Sequence, residues 1–332
     1  MQYLKTLAVV IGGFFFTLLT TSYSVIGSRI LFPEKKTPSA SPPDVFVNIE
    51  PATRSTKAFS DQTAKLLRAT TAFTMGAALV SRTLSLPFAN AVTTVFLLST
   101  TLNNFVFGAR QPKSFTKVVH PLVTTTVMTW SFMWVTAKCL SITFHDMLRT
   151  YSTSAGPVLL GFLGPAVASL SCQMYERRKL MRDNIKQVVT AVLVSALGGL
   201  FGTALAVRFL QIGNPALRLS LLSRNITSPL AMSIAKILGA DVSLAVSMVV
   251  VTGLFGANFG ANILSFFSIR DPVARGMGIG AAAHGLGTAA FANEKNAFPF
   301  AAVAMALTAS VTTVLVSIPL VKTALLKVAL GW

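Results

Sequence analysis

Eight stretches of this chain carry no charged side chain: 6–28, 83–109, 118–137, 150–175, 188–207, 242–269, 276–293 and 296–321. Most reach the roughly 20 residues needed to cross a hydrocarbon core as a helix. In lipid, backbone N–H and C=O groups find partners only within the chain, and none of these stretches alternates apolar with polar, so barrel strands are excluded and helices remain. Only 11% of the residues are charged, against about 25% in soluble domains. The expected fold is an all-α polytopic membrane protein.

The net charge of +18 invites a nucleic-acid reading. The basic residues, however, sit in the connections between apolar stretches and form no patch interleaved with aromatics, so no nucleic-acid partner is expected. Arg54, Lys57, Lys65 and Arg68 precede a helix near 69–81; Arg110, Lys113 and Lys117 follow the next helix; Arg177, Arg178, Lys179, Arg182 and Lys186 follow two helices later. Two crossings separate each cluster from the next, which places all three in one compartment, as positive-inside asymmetry requires. Cys139 and Cys172 have neither metal nor redox spacing and read as small packing residues; no cofactor or metal is expected.

Three regions follow from this pattern. Residues 1–31 combine Lys5 with a short apolar core and small polar residues, which fits a signal peptide or an N-terminal anchor helix,. Residues 32–62, rich in Pro, Ser, Thr and Lys, read as a linker or targeting segment. Residues 63–332 form a multi-helix membrane domain.

Within that domain the sequence echoes itself. GLFG stands at 199–202 and 253–256, and Asn-Pro-x-x-Arg (Asn214, Pro215, Arg218) is followed by Asp-Pro-x-x-Arg (Asp271, Pro272, Arg275), 57 residues on. The order of the two echoes indicates a duplication. The tetrads read as close helix packing. After the first Arg, only residues 225–235 separate Arg224 from Lys236, too few to span, and Ser228-Pro229 is a helix start,. After the second comes AAAHGLGTAA, where Gly285 and Gly287 weaken a helix beside His284 and Thr288; at the 57-residue offset Thr227 falls on His284,.

Paired interrupted helices in corresponding halves are the strongest sequence pointer to a transporter binding site, because half-helix N-termini offer free N–H groups and a positive dipole to a carboxylate. The expected architecture is therefore a pair of inverted repeats whose interrupted segments meet near the bilayer midplane, around a small organic anion. Expected substrate-binding residues are Asn225, Thr227, Ser228, Pro229, His284, Gly285, Gly287 and Thr288. His284 could otherwise be a satisfied core histidine, but ionisable groups in a span are costly and tend to be functional. Asn258 either bonds a neighbouring helix or lines the pathway. Asp271 and Arg275 are interfacial helix ends or, less simply, gating or proton-coupling groups. An intramembrane enzyme is not expected, since His284 has no paired carboxylate or nucleophile nearby in sequence.

VVVTGLFGANFGANIL, IRDPVARGMGIGAAAHGLGTAA and ANEKNAFPFAAVAMALTASVTTVLVSIP together resemble the LrgB family, as do HPL at 120–122, SAGPVLLGFLGP at 154–165 and YERRKLMRDNIK at 175–186. The resemblance runs from about Val118 to the C-terminus. It implies a carrier of glycolate and glycerate in a plastid inner envelope, working by exchange or with a co-transported proton. The bacterial members imply an alternative, a plasma-membrane regulator of cell-envelope hydrolases. Where the family pairs with an LrgA-like half, that half has several helices, whereas residues 63–117 have room for about two; an LrgA-like partner or a homo-oligomer is the corresponding expectation.

Overall fold

The computed structural model describes residues 2–31, 59–112, 121–162 and 178–331, with residues 115, 116, 119, 164, 165, 168, 172 and 175 between them. Of the expected linker over 32–62, residues 32–58 lie outside the described residues and its end enters the helix starting at Asp61; His120, Lys113, Lys117, Arg177 and most of 163–177 also lie outside. Among the described residues every regular element is a helix, and five are long and apolar enough to cross a membrane. The protein is an all-α, multi-pass integral membrane protein.

The chain divides into two compact units, one made of Met1–Lys35 with Ala168–Trp332, the other of Lys36–Val167. The first helix, α1 (Gln2–Leu31), belongs to the former. The smaller unit holds α2 (Asp61–Thr83), α3 (Ala89–Ala109), α4 (Pro121–Cys139), α5 (Phe144–Thr153) and α6 (Ala155–Gly161). Its core is Phe96, Leu97, Met133 and Met147. Polar pairs join the helices across it: the Thr74 and Ser99 hydroxyls at 3.0 Å, and Asn104 Nδ2 donating to Thr129 Oγ1 at 3.1 Å,. Cys139 and Cys172 are exposed rather than packed, contrary to the sequence expectation.

The larger unit continues with α7 (Arg178–Asp183), α8 (Ile185–Leu197) and α9 (Thr203–Phe209), the last two joined through a π turn, Gly198–Gly202, into one membrane-length span. Then come α10 (Pro215–Leu221), α11 (Ser228–Leu238), α12 (Val242–Phe266), α13 (Pro272–Ala290), α14 (Phe298–Ser317) and α15 (Pro319–Leu330).

The echoed segments fold alike. Each opens on a turn with a positive φ, 49° at Gln211 and 57° at Ser268. The next amide reaches back five residues, Ile212 to the Val207 carbonyl at 3.2 Å and Ile269 to the Leu264 carbonyl at 2.9 Å. Asn214 and Asp271 then cap helices with Pro215 and Pro272 in the first turn,. Arg218 Nε donates to the Ile212 carbonyl, and Arg275 Nη1 donates to that of Ile269 at 3.0 Å. Each correspondence spans the same 57 residues, so the duplication is one of backbone structure as well as of letters.

Each copy folds back on itself. In the first, α10 gives way to unwound residues 222–227 before α11 returns, and Ser220 Oγ donates to the Asp241 carbonyl at 3.0 Å, closing the hairpin at the N-terminal end of α12. In the second, α13 is broken at His284 (φ 42°, ψ −138°), and Arg275 binds Glu294 beyond the returning arm. Arg275 Nη1 also donates to Ser265 Oγ at 3.3 Å, at the C-terminal end of α12. The hairpins thus start from opposite ends of α12, as inverted repeats. Gly276 and Gly280 let α13 lie directly on the backbone of α14 at Ala297 and Ala301,.

Candidate functional site

The two hairpin tips meet inside the larger unit. Asn225, buried at the first tip, donates from Nδ2 to the Ala281 carbonyl at 3.2 Å, three residues before the break in α13. His284, 5% exposed, lies 2.9 Å from the Val249 carbonyl through Nε2. A histidine at positive φ is a sparsely populated conformation costing on the order of 1–3 kcal/mol, which marks a site where the surroundings hold the backbone in place. Thr288 Oγ1 donates to the Ala301 carbonyl at 3.4 Å, bracing the returning arm.

The GLFG tetrads take part in this arrangement in a way the packing interpretation only partly anticipated. A Cβ on Gly199 would stand 2.7 Å from Asn225 Nδ2, and one on Gly253 would stand 2.5 Å from His284 Cε1. The first glycine of each tetrad is therefore the seat of a tip side chain. The last glycine of each receives an aromatic ring from α1: Phe16 at Gly202, where a Cβ would come within 2.8 Å, and Phe14 at Gly256, within 2.9 Å. In the first copy the tetrad lies in a π turn, a feature frequent at functional sites,.

The other predicted residues fall into three groups. Thr227, Ser228 and Pro229 form the start of α11, partly exposed, and the Thr227 side chain makes no capping bond, so the first amides of that helix are left to other acceptors,. Gly285 and Gly287 lie just past the break, Gly287 packed on Ile279 and Ala283 across the hairpin. Asp271 and Arg275 are not at the tips. They hold the root of the second hairpin, Asp271 by capping α13 and pairing with Arg29 of α1 at 2.8 Å, Arg275 by a two-pronged pair with Glu294 at 2.7 and 2.8 Å. Asn258 is half-buried on α12, and among the described residues no hydrogen bond ties it to a tip.

Sequence reasoning passed over Arg224, treating it as the edge of a short uncharged segment. It lies at the first tip and is 0% exposed. Its Nη2 donates to Thr17 Oγ1 of α1 at 3.3 Å, while among the described residues Nε and Nη1 have no partner. Room for the guanidinium comes from Gly13, where a Cβ would stand 2.5 Å from Arg224 Cζ. A second α1 contact, Ser22 Oγ to the Ala274 carbonyl at 3.1 Å, reaches the second hairpin. The helix with the leader-like composition thus touches both repeats. Among the described residues no group of three His, Cys, Asp or Glu could hold a metal ion.

Opposed helical hairpins with polar tips, braced by long apolar helices, define a multi-pass membrane protein of the inverted-repeat kind. The sequence model of the LrgB-like family matches residues 100–321, and the chain belongs to that family. It is 38% identical over 241 residues to plastidal glycolate/glycerate translocator 1, chloroplastic, of Arabidopsis thaliana, covering 70% of this chain and 47% of that protein. It is 28% identical over 158 residues to the uncharacterised YwbG of Bacillus subtilis, covering 47% of this chain and 70% of the relative. With the holin-like protein CidB of Staphylococcus aureus (strain N315) it shares 26% identity over 157 residues, 47% of this chain and 68% of the relative. The chain spans about half the length of the plant translocator. No solved structure matches it. α1 lies outside the family match.

Proposed function

We propose that this protein is a secondary transporter of small 2-hydroxy monocarboxylates of the glycolate and glycerate class, acting by exchange or with a coupled proton. The observation that carries this reading is the meeting of two inverted hairpins at buried polar tips, next to the uncapped start of α11. Such a site favours a carboxylate through oriented amides and a helix dipole. The side chains of Asn225, Thr227, Ser228, His284 and Thr288, with the backbone at Pro229, Gly285 and Gly287, line it near the bilayer midplane and offer partners to a substrate hydroxyl. A polar site of this kind strongly disfavours analogues that lack the hydroxyl, because its own groups are then left unpaired. The identity with the plant translocator supports the substrate class and a plastid envelope location.

The test is uptake of labelled glycolate and D-glycerate by proteoliposomes holding this chain alone, with and without internal substrate and an imposed pH gradient. Saturable uptake stimulated by internal substrate or by the gradient is the expected result; correctly inserted protein without uptake sinks the reading for the isolated chain.

The similarity to CidB supports a second reading, a plasma-membrane regulator of cell-envelope hydrolases working with an LrgA-like partner. On that reading the tips tolerate substitution and the outer helix faces do not.

A further inference from the structure

We infer that Arg224 binds the substrate carboxylate, making the site one for a singly charged anion, and that α1 is a wall of that site. What the anion is rests on the transport reading; that the site takes an anion rests on the buried guanidinium. A guanidinium stays charged in a protein interior. Arg224 is 0% exposed, yet among the described residues its guanidinium bonds one neutral hydroxyl, Thr17 Oγ1 at 3.3 Å, and Nε and Nη1 are unfilled. Buried charges are otherwise paired or neutralised.

Among the described residues no carboxylate of the larger unit pairs with Arg224. Asp271 and Glu294 are committed to Arg29 and Arg275 at the root of the second hairpin, and Asp241 caps α12. The protein has built a cation into its interior, at the point where the inverted repeats converge, and among the described residues no ion pair supplies the counter-charge. A carboxylate supplies it, accepting from the open nitrogens as guanidinium geometry favours. The start of α11, an 11-residue helix whose N-cap Thr227 lies three residues further along, has no side-chain cap.

One cation matched to one anion also sets a charge rule. A monocarboxylate neutralises the site, a neutral diol leaves the cation bare, and a dicarboxylate brings a second charge with no counterpart. Two residues of α1 set the position of the guanidinium: Gly13, whose missing side chain makes the notch, and Thr17, which holds Nη2. Neither is in the family-matched region, so this part of the site is supplied by a helix the family match does not include. The inference therefore requires α1 in the working protein.

The experiment uses the full chain in detergent, following thermal unfolding with glycolate, ethylene glycol or malonate, and in parallel the uptake assay above. Wild type should be stabilised by glycolate and not by ethylene glycol, with malonate at least about tenfold weaker. Arg224→Met should remove the glycolate effect while the ligand-free protein unfolds at the same temperature or higher, because an uncompensated buried charge is gone. A purely structural arginine gives the opposite pattern, lower ligand-free stability with the glycolate shift retained, and that overturns the inference. Should Arg224→Met not yield folded protein, Arg224→Lys decides. Loss of the planar fork should weaken glycolate about tenfold, and unchanged affinity overturns the assignment. Wild-type uptake that survives Arg224→Met ends this inference and leaves the transport reading intact. Arg224-dependent stabilisation by glycolate without any wild-type uptake does the reverse.

Discussion

The two hairpins share a plan and are finished differently. Both begin with the same turn, the same cap and proline, and the same arginine folded back on a carbonyl six residues earlier. At the root, Arg218 of the first hairpin finishes on the Ala329 carbonyl at 3.3 Å, whereas Arg275 of the second is locked to Glu294 and its neighbour Asp271 to Arg29. At the tip the contrast inverts. The first carries a buried, underbonded cation on residues 222–227, and the second a hydrogen-bonding imidazole at a single-residue break. The two copies share a scaffold and differ in where the charge and the fastening sit, one on a tip and the other on a root. On the transport reading, both tips line the site, the first hairpin supplies its charge, and the second is clamped at a root that must release for access to alternate.

The largest effect expected from breaking this division is at the second tip. His284→Ala should reduce uptake by more than tenfold with membrane insertion unchanged, since the ring is the tip's main polar contribution and its loss also empties the seat at Gly253,. Uptake in inserted variant protein equal to wild type would remove His284 from the site. It would also shift weight to the regulatory reading, in which tip residues are dispensable.

Next in size is a comparison of backbone contact in the two hairpins. The second lies on α14 through Gly276 and Gly280, where an added Cβ runs into the backbone of Ala297 and Ala301. At the first hairpin's root, by contrast, Gly213 faces open space. Gly280→Ala should therefore destabilise by about 1–3 kcal/mol, and Gly213→Ala should be neutral or stabilise by up to about 1 kcal/mol. Thermal unfolding of the two variants in one detergent measures the difference; equal midpoints would mean that α13 is not wedged against α14.

Much of this organisation was legible in the sequence, for identifiable reasons. Pro215, Pro272, Arg218 and Arg275 do local work, and local work leaves a local pattern, so the duplication and the breaks near Thr227 and His284 could be read at a fixed offset. Arg224 was hidden by the same logic that found the spans. A charge normally ends an apolar window, and only once the segment is taken as re-entrant does a residue six positions beyond Arg218 fall inside the domain rather than at its edge. The role of α1 was hidden more deeply. Gly13 and Thr17 are unremarkable in an apolar run, and their partner is more than 200 positions away. The leader-like composition of residues 1–31 reflects an apolar helix with small faces, and those faces are what admit Arg224 and the rim of α13 at Gly278.

The smallest effect expected is at the fastened root, and it separates holding from binding. Arg275 is 12% exposed and Glu294 34%, so the pair is partly screened and Glu294→Gln should cost no more than about 1 kcal/mol,. Arg275 keeps its bonds to the Ile269 carbonyl and Ser265, so the hairpin stays folded while its closing contact weakens. A clamp that must open during each cycle predicts a definite pattern: a changed maximal rate of uptake with the half-saturating substrate concentration little altered, since no tip residue has moved. The same variant should be less sensitive to ionic strength than wild type, because the pair that salt weakens is already gone. A change confined to half-saturation, with the maximal rate unaffected, would place Glu294 in recognition instead. The division between a charged tip on one repeat and a clamped root on the other would then have to be redrawn.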